Sequence, residues 1–185
     1  MAGPANRFRR EISRAPLTLM TRAIGFDPTP HECRLMTKTY MTPDIVAFNL
    51  AVTSKKQLIQ SLSERVAHHG GLCERAVMDA IMKREKLGST GIGDGIALPH
   101  ATLPKVGATV TLLATLETPV AYDSPDGVDV DLVVLVLGCQ DDSSSYLASI
   151  KTASQLLKTH GTALRDASDE TAVRQTLDRQ LTAAA

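Results

Sequence analysis

Residues Gly88 to Pro104 read GSTGIGDGIALPHATLP. Four glycines, at 88, 91, 93 and 95, fall within eight residues. A short apolar run, Ile96-Ala97-Leu98, follows them and delivers Pro99-His100. Glycine costs folding entropy, so such density marks backbone that bends sharply or lies close to something. The context excludes two familiar uses. A dinucleotide fingerprint needs a strand before the glycines and a helix after them. Here a helical pattern precedes and a strand-like run follows. A Walker A loop ends in Gly-Lys-Ser/Thr, and Asp94-Gly95-Ile96 does not.

Outward from this stretch the chain alternates between two periodicities. Upstream, Ile45–Leu50 reads as a strand. Thr53 and Ser54 then offer an N-cap, with Gln57 three residues after Ser54 as in a capping box. The helix that follows puts Leu58, Ile59, Leu62 and Val66 on one face and stops at Gly70-Gly71. A second helix, from about Cys73 to Glu85, carries Val77, Met78, Ile81 and Met82. Downstream, Ile96–Leu98 and Val110–Leu116 read as strands, and Pro119–Asp126 as a turn-rich connection. Leu132–Leu137 (LVVLVL) is continuously apolar, the signature of a central strand covered on both faces. Asp141–Ser145 caps a helix bearing Leu147, Ile150, Ser154 and Leu157 that ends near Gly161. A last helix, about Ser168–Leu181, turns Val173, Leu177 and Leu181 inward. Strands and helices interleave without a strict βαβ rhythm. The expected fold class is therefore α/β, a mixed parallel and antiparallel sheet flanked by helices.

Composition narrows the function classes. The 185 residues suit one core, with 43% hydrophobic residues and 20 basic residues balancing 20 acidic ones. That balance favours neither nucleic acid nor a membrane surface, and 3% aromatics without tryptophan disfavours base stacking. No run approaches the roughly 20 apolar residues of a membrane span. Cys33, Cys73 and Cys139 are odd in number and widely spaced, which reads as a reducing, cytoplasmic setting. His68, His69 and Cys73 at a helix end read as solvated caps rather than metal ligands. His160 reads as a cation near a helix C-terminus, and His31 lies in the leader. No metal and no cofactor is expected.

Residues 1–36 differ from the remainder: six arginines, no lysine and four prolines. They are read as a disordered leader or as sequence ahead of the true start, with Met36 and Met41 as later starts. Their Arg-rich, acid-poor composition also matches an organellar transit peptide. Residues 37–185 form the expected domain.

Read together, Arg84-Glu85-Lys86-Leu87-Gly88-Ser89-Thr90-Gly91-Ile92-Gly93 and Gly95-Ile96-Ala97-Leu98-Pro99-His100 resemble a known family. The likeness is to the IIA domains of mannitol/fructose type in the bacterial phosphoenolpyruvate-dependent phosphotransferase system, in particular their nitrogen regulatory branch, EIIA-Ntr. It runs on through Leu116-Glu117-Thr118-Pro119-Val120 to the C-terminal helices, about Met41 to Leu181. The resemblance implies a phosphohistidine at His100, charged by a small carrier of the HPr or NPr type. It implies regulation of target proteins by phosphorylation state. It leaves two alternatives: a sugar-uptake IIA component feeding a IIB domain, or a binding module with weakened transfer. No nucleic acid or membrane insertion is implied, and the oligomeric state is left open.

The residue chemistry suits that role. A neutral imidazole is a nucleophile near pH 7, and Pro99 stiffens the backbone that presents it. Main-chain N–H groups at Gly91, Gly93 and Gly95 are the expected lining for the phosphoryl dianion, with Arg84 as a planar fork. Asp94 is a turn residue. The family pattern departs at two places. Relatives commonly have Gly and then Lys or Arg after the active histidine, where this chain has Ala101-Thr102. Many also place a second histidine at the start of the third helix, where this chain has Tyr146, whose hydroxyl can offer phosphate one hydrogen bond.

Overall fold

The structure, a computed structural model, describes residues 42–104 and 106–183. The expectations for residues 1–36 lie outside the described residues. Strand β1 (Ile45–Leu50) leads to helix α1 (Lys55–Gly70), then α2 (Glu74–Glu85). Short strands β2 (Gly91–Gly93), β3 (Ile96–Ala97) and β4 (His100–Leu103) follow. The long strands β5 (Val110–Val120) and β6 (Val130–Cys139) come next, then α3 (Ser143–Arg165) and α4 (Glu170–Ala183).

The sheet order is β1-β5-β6-β3-β2, and β4 pairs with β6 in line with β3. β1 runs parallel to β5, while β5 runs antiparallel to β6. β3 and β4 run parallel to β6, and β2 closes an antiparallel hairpin with β3. The sheet is mixed and flanked by helices, as the patterning predicts.

β6 is central because it is apolar on both sides. Val133, Leu135 and Leu137 enter one core with Leu58, Ile59, Leu62 and Val66 of α1 and Val77 and Ile81 of α2. Leu132, Val134 and Val136 enter the other with Leu157 and Leu164 of α3 and Val173 and Leu177 of α4. The side-chain period of two makes this a three-layer sandwich. The Ser54 cap forms, its Oγ accepting the Gln57 N–H at 3.3 Å. The return contact differs: Gln57 Oε1 accepts the N–H of Thr53, one residue earlier than the box motif requires, at 2.9 Å.

Four features differ from the sequence reading. β4 is a strand that the pattern does not announce, since four residues carry too little period. β5 continues through Pro119, which sits where the β5–β6 register breaks between Thr115 and Val120, the place a ladder tolerates a missing N–H. α3 passes Gly161 and ends at Arg165. Gly161 is buried in the helix where it faces Leu132 and Ile96 of the sheet, so it does not end α3. Leu147 points to solvent at 61% exposure, because the inward face of α3 is set further on by Ala153, Leu156 and Leu157.

Leu135 is fully buried on the central strand. Leu135→Ala should destabilise the fold by about 2–5 kcal/mol, whereas the same change at exposed Leu147 should stay within about 0.5 kcal/mol. Urea denaturation midpoints compare the two.

Candidate functional site

His100 opens β4 and is paired in register with Val136 of β6. The preceding Pro99 carbonyl accepts the Val136 N–H at 3.0 Å, so the central strand fixes the backbone that carries the ring. Ala101 is buried and, like Leu103, belongs with the α1/α2 core. Strand alternation therefore sends the imidazole to the opposite side, where Tyr146 lies.

The ring's two nitrogens have different partners. Nδ1 stands 2.7 Å from the Leu98 carbonyl oxygen, an acceptor only, so Nδ1 carries the proton. Nε2 then presents a lone pair, and Arg84 Nε donates to it at 3.0 Å. Arg84 Nη1 donates to the Gly88 carbonyl, also at 3.0 Å, so the guanidinium is held at two points. Burial lowers the His100 pKa from its ordinary 6.5; the Arg84 charge acts the same way, against the Leu98 carbonyl and the Glu85 charge. The ring is thus neutral at pH 7, and its one lone pair, on Nε2, is the nucleophilic position, capped here by the Arg84 N–H.

Tyr146, in the first turn of α3, lies with its ring centre 6.2 Å from that of His100, tilted by 54°. Partial burial raises its pKa, so the hydroxyl stays protonated at neutral pH. Gly138 makes this approach possible: a Cβ there would collide with Cγ and Cδ2 of the Tyr146 ring. The sequence holds this signal, a glycine near the end of an apolar strand, but only the packing shows its use.

The glycines have a different place from the one expected. Gly93, Asp94 and Gly95 all take positive φ, at 92°, 56° and 73°. Asp94-Gly95 is the two-residue connection of the β2–β3 hairpin, where positive φ at both positions suits the twist of the strands. The Asp94 N–H donates to Asp126 at 2.7 Å, and Gly91 N–H to Ser89 Oγ at 3.2 Å. Arg165 clamps the turn through the Asp94 carbonyl and the Asp131 carboxylate. Gly93 pairs with Ile96, and Ile96 and His100 face positions of β6 four residues apart, roughly 13 Å. The structure brings Arg84 and Tyr146 to the imidazole and leaves Gly93 and Gly95 at the far end of the hairpin, among carboxylates.

A group absent from the sequence reading lies beneath Arg84. The buried Glu85 carboxylate accepts the Thr90 N–H at 2.9 Å and its hydroxyl at 2.6 Å, and pairs with Lys55 at 3.0 Å. Lys55 also donates to the Tyr122 carbonyl and lies 4.5 Å over the Tyr122 ring. The sequence held a sign of this: Val77, Ile81 and Glu85 recur every four residues along the buried face of α2. Among the described residues, no group of three His, Cys, Asp or Glu side chains is placed to hold a metal ion. His68, His69 and Cys73 are exposed, and no described helix is long and apolar enough to cross a membrane.

Comparison with known proteins agrees with this architecture. Residues 39–180 match the family model described as phosphoenolpyruvate-dependent sugar phosphotransferase system, EIIA 2. The chain belongs to this EIIA family. A nitrogen regulatory protein of Bradyrhizobium diazoefficiens is 38% identical over 118 residues, covering 64% of this chain and 77% of the relative. The crystal structure of the nitrogen regulatory protein IIA-Ntr from Neisseria meningitidis superposes with a TM-score of 0.64 at 30% identity, covering 72% of this chain and 92% of that one. IIA mannitol from Escherichia coli shares the fold at a TM-score of 0.60 and 20% identity, covering 71% of this chain and 94% of that one. The chain is thus an EIIA-Ntr-like component of the phosphotransferase system.

The depressed His100 pKa sets a pH dependence of stability. As pH falls through about 6.5, the unfolded imidazole binds a proton that the folded EIIA domain refuses. The folded state therefore loses stability on that side, and the contribution is fully present only above about 6.5. His100→Gln should lose less stability than wild type between pH 7 and pH 5, read as the change in urea midpoint.

Proposed function

We propose that this EIIA protein is a regulatory phosphocarrier whose His100 Nε2 accepts a phosphoryl group from a phosphohistidine carrier of the HPr or NPr type. In the charged state it alters the binding of target proteins in the cytoplasm. One observation supports this above the others: Nδ1 is committed to the Leu98 carbonyl while the Nε2 lone pair meets a guanidinium. The Nε2 lone pair forms the new N–P bond as the donor's N–P bond breaks, and that bonding pair returns to the donor imidazole. The acceptor ring gains positive charge, which the Leu98 carbonyl stabilises through the retained Nδ1 proton. Arg84 offers N–H groups to the phosphoryl oxygens, and Tyr146 offers one neutral hydroxyl. A dianion added at this half-buried place changes the charge of the surface around it, which is enough to switch an interface.

The direct test combines the purified protein with enzyme I, the carrier and phosphoenolpyruvate. Wild type should gain one acid-labile phosphate that His100→Ala lacks; an unlabelled wild type overturns the reading. Tyr146→Phe removes a single hydrogen bond from a neutral hydroxyl to a charged oxygen, worth about 1.5–3 kcal/mol. Its phosphorylated form should therefore lose phosphate to water or back to the carrier roughly 10–150 times faster. The half-life of the labelled protein measures this.

A further inference from the structure

Glu85 is the only charged residue buried among the described residues, and its hydrogen bonds and ion pair go to Thr90 and Lys55 rather than to the imidazole. Its contacts explain why it is there. The carboxylate accepts both the N–H and the hydroxyl of Thr90, closing residues 85–90 into a short loop. Because a carboxylate only accepts, the Thr90 hydroxyl donates to it, and the Tyr122 hydroxyl, 3.2 Å away, donates to Thr90 Oγ1. Lys55 Nζ, at the start of α1, lies 3.0 Å from the carboxylate.

Two lines run from this point to the reactive ring. On one side, Arg84 is the chain neighbour of Glu85, and the Gly88 carbonyl that braces Arg84 lies inside the closed loop. On the other, the Thr90 carbonyl accepts the Leu98 N–H at 2.9 Å, and the Leu98 carbonyl in turn orients His100 Nδ1. The same carboxylate therefore anchors the guanidinium and the carbonyl that face the two nitrogens of one imidazole.

We propose that Glu85, held by Lys55 and Thr90, is the positioning residue of the acceptor site, fixing Arg84 and the Leu98 carbonyl relative to each other. This rests on the phosphocarrier reading for its consequence, since only transfer to Nε2 makes that alignment matter. A misplacement near 1 Å at a reacting centre costs about a hundredfold in rate.

Glu85→Gln in the full chain keeps one acceptor for the Thr90 N–H but loses the charge that pairs with Lys55, which Asp123, at 2.9 Å, and the Tyr122 carbonyl then hold without it. Two properties are read: solvent exchange of the Arg84 Nε–H in the uncharged protein by NMR, and the initial rate of phosphoryl acceptance. The variant should show at least tenfold faster Arg84 exchange and a ten- to hundredfold slower acceptance. Lys55→Met should move both in the same direction, and Lys55→Arg should restore them. A merely structural Glu85 would lower the urea midpoint yet leave Arg84 exchange and rate at wild-type values under native conditions, and that result overturns the proposal. If Glu85→Gln does not fold, the Lys55→Met and Lys55→Arg pair decides on the same readouts. A wild type that takes no phosphoryl group defeats the phosphocarrier reading, while Arg84 exchange still decides whether Glu85 positions the guanidinium.

Discussion

The parallel pairing of β4 with β6 is the constraint from which the site follows. β6 is buried on both faces, so a slip of one residue would exchange the side chains of its two cores. Its register is therefore fixed by all the apolar area on either side. One edge of β6 is taken by β5, and the other by β3 and β4 in series. Proline at 99 has no N–H for the ladder, though its carbonyl still accepts from Val136. The interruption between β3 and β4 falls there, and His100 is the first side chain after it. The imidazole is thus located by the core and leaves the sheet where the ladder is broken.

Charge is separated along the same edge. At one end Arg84 stands alone against a neutral ring and a neutral tyrosine. At the other, Asp126 receives the hairpin N–H groups and Asp131 pairs with Arg165. The N–H groups of Asp94 and Val128 hold the Asp126 carboxyl below its ordinary pKa, so it stays ionised. A phosphoryl dianion is disfavoured beside those carboxylates and favoured beside the guanidinium, at separations where solvent screens exposed charges but not half-buried ones. Gly93 and Gly95 serve the turn, while Arg84 stands at the imidazole.

The parts of this protein written in long periods could be read directly. LVVLVL announces β6, and Leu58, Leu62 and Val66 announce the inner face of α1. His100 and Arg84 came from the resemblance to the EIIA family, because a single histidine or arginine has no period. What stayed hidden depends on tertiary contacts. The glycine cluster looks alike whether it cradles an anion or turns a hairpin, although Asp94-Gly95 between Ile92 and Ile96 carries the hairpin sign. Gly161 reads as a helix stop in the sequence, and Gly138 has no periodic sign at all. Folded, α3 runs past Gly161, and Gly138 proves to be a point where a side chain would keep the Tyr146 ring from the sheet.

The two departures from the family pattern converge on Arg84. Ala101 turns its methyl into the core, so residue 101 adds nothing to the exposed rim of the site. Thr102 brings no charge. Tyr146, at the position where the resemblance leads one to expect a histidine, has a side chain that stays uncharged at neutral pH. Among the described residues the cation hydrogen-bonded to the imidazole is the Arg84 guanidinium, whose Nε–H occupies the Nε2 lone pair. In the proposed transfer, Nε2 cannot hold that N–H and a phosphorus atom together, so acceptance would require the guanidinium to turn from ring to phosphoryl oxygens. Its second anchor, Nη1 on the Gly88 carbonyl, would keep it within reach during the exchange. On that proposal the unreacted ring is capped by the group that would hold the product, and its reactivity is set by how easily that cap is displaced.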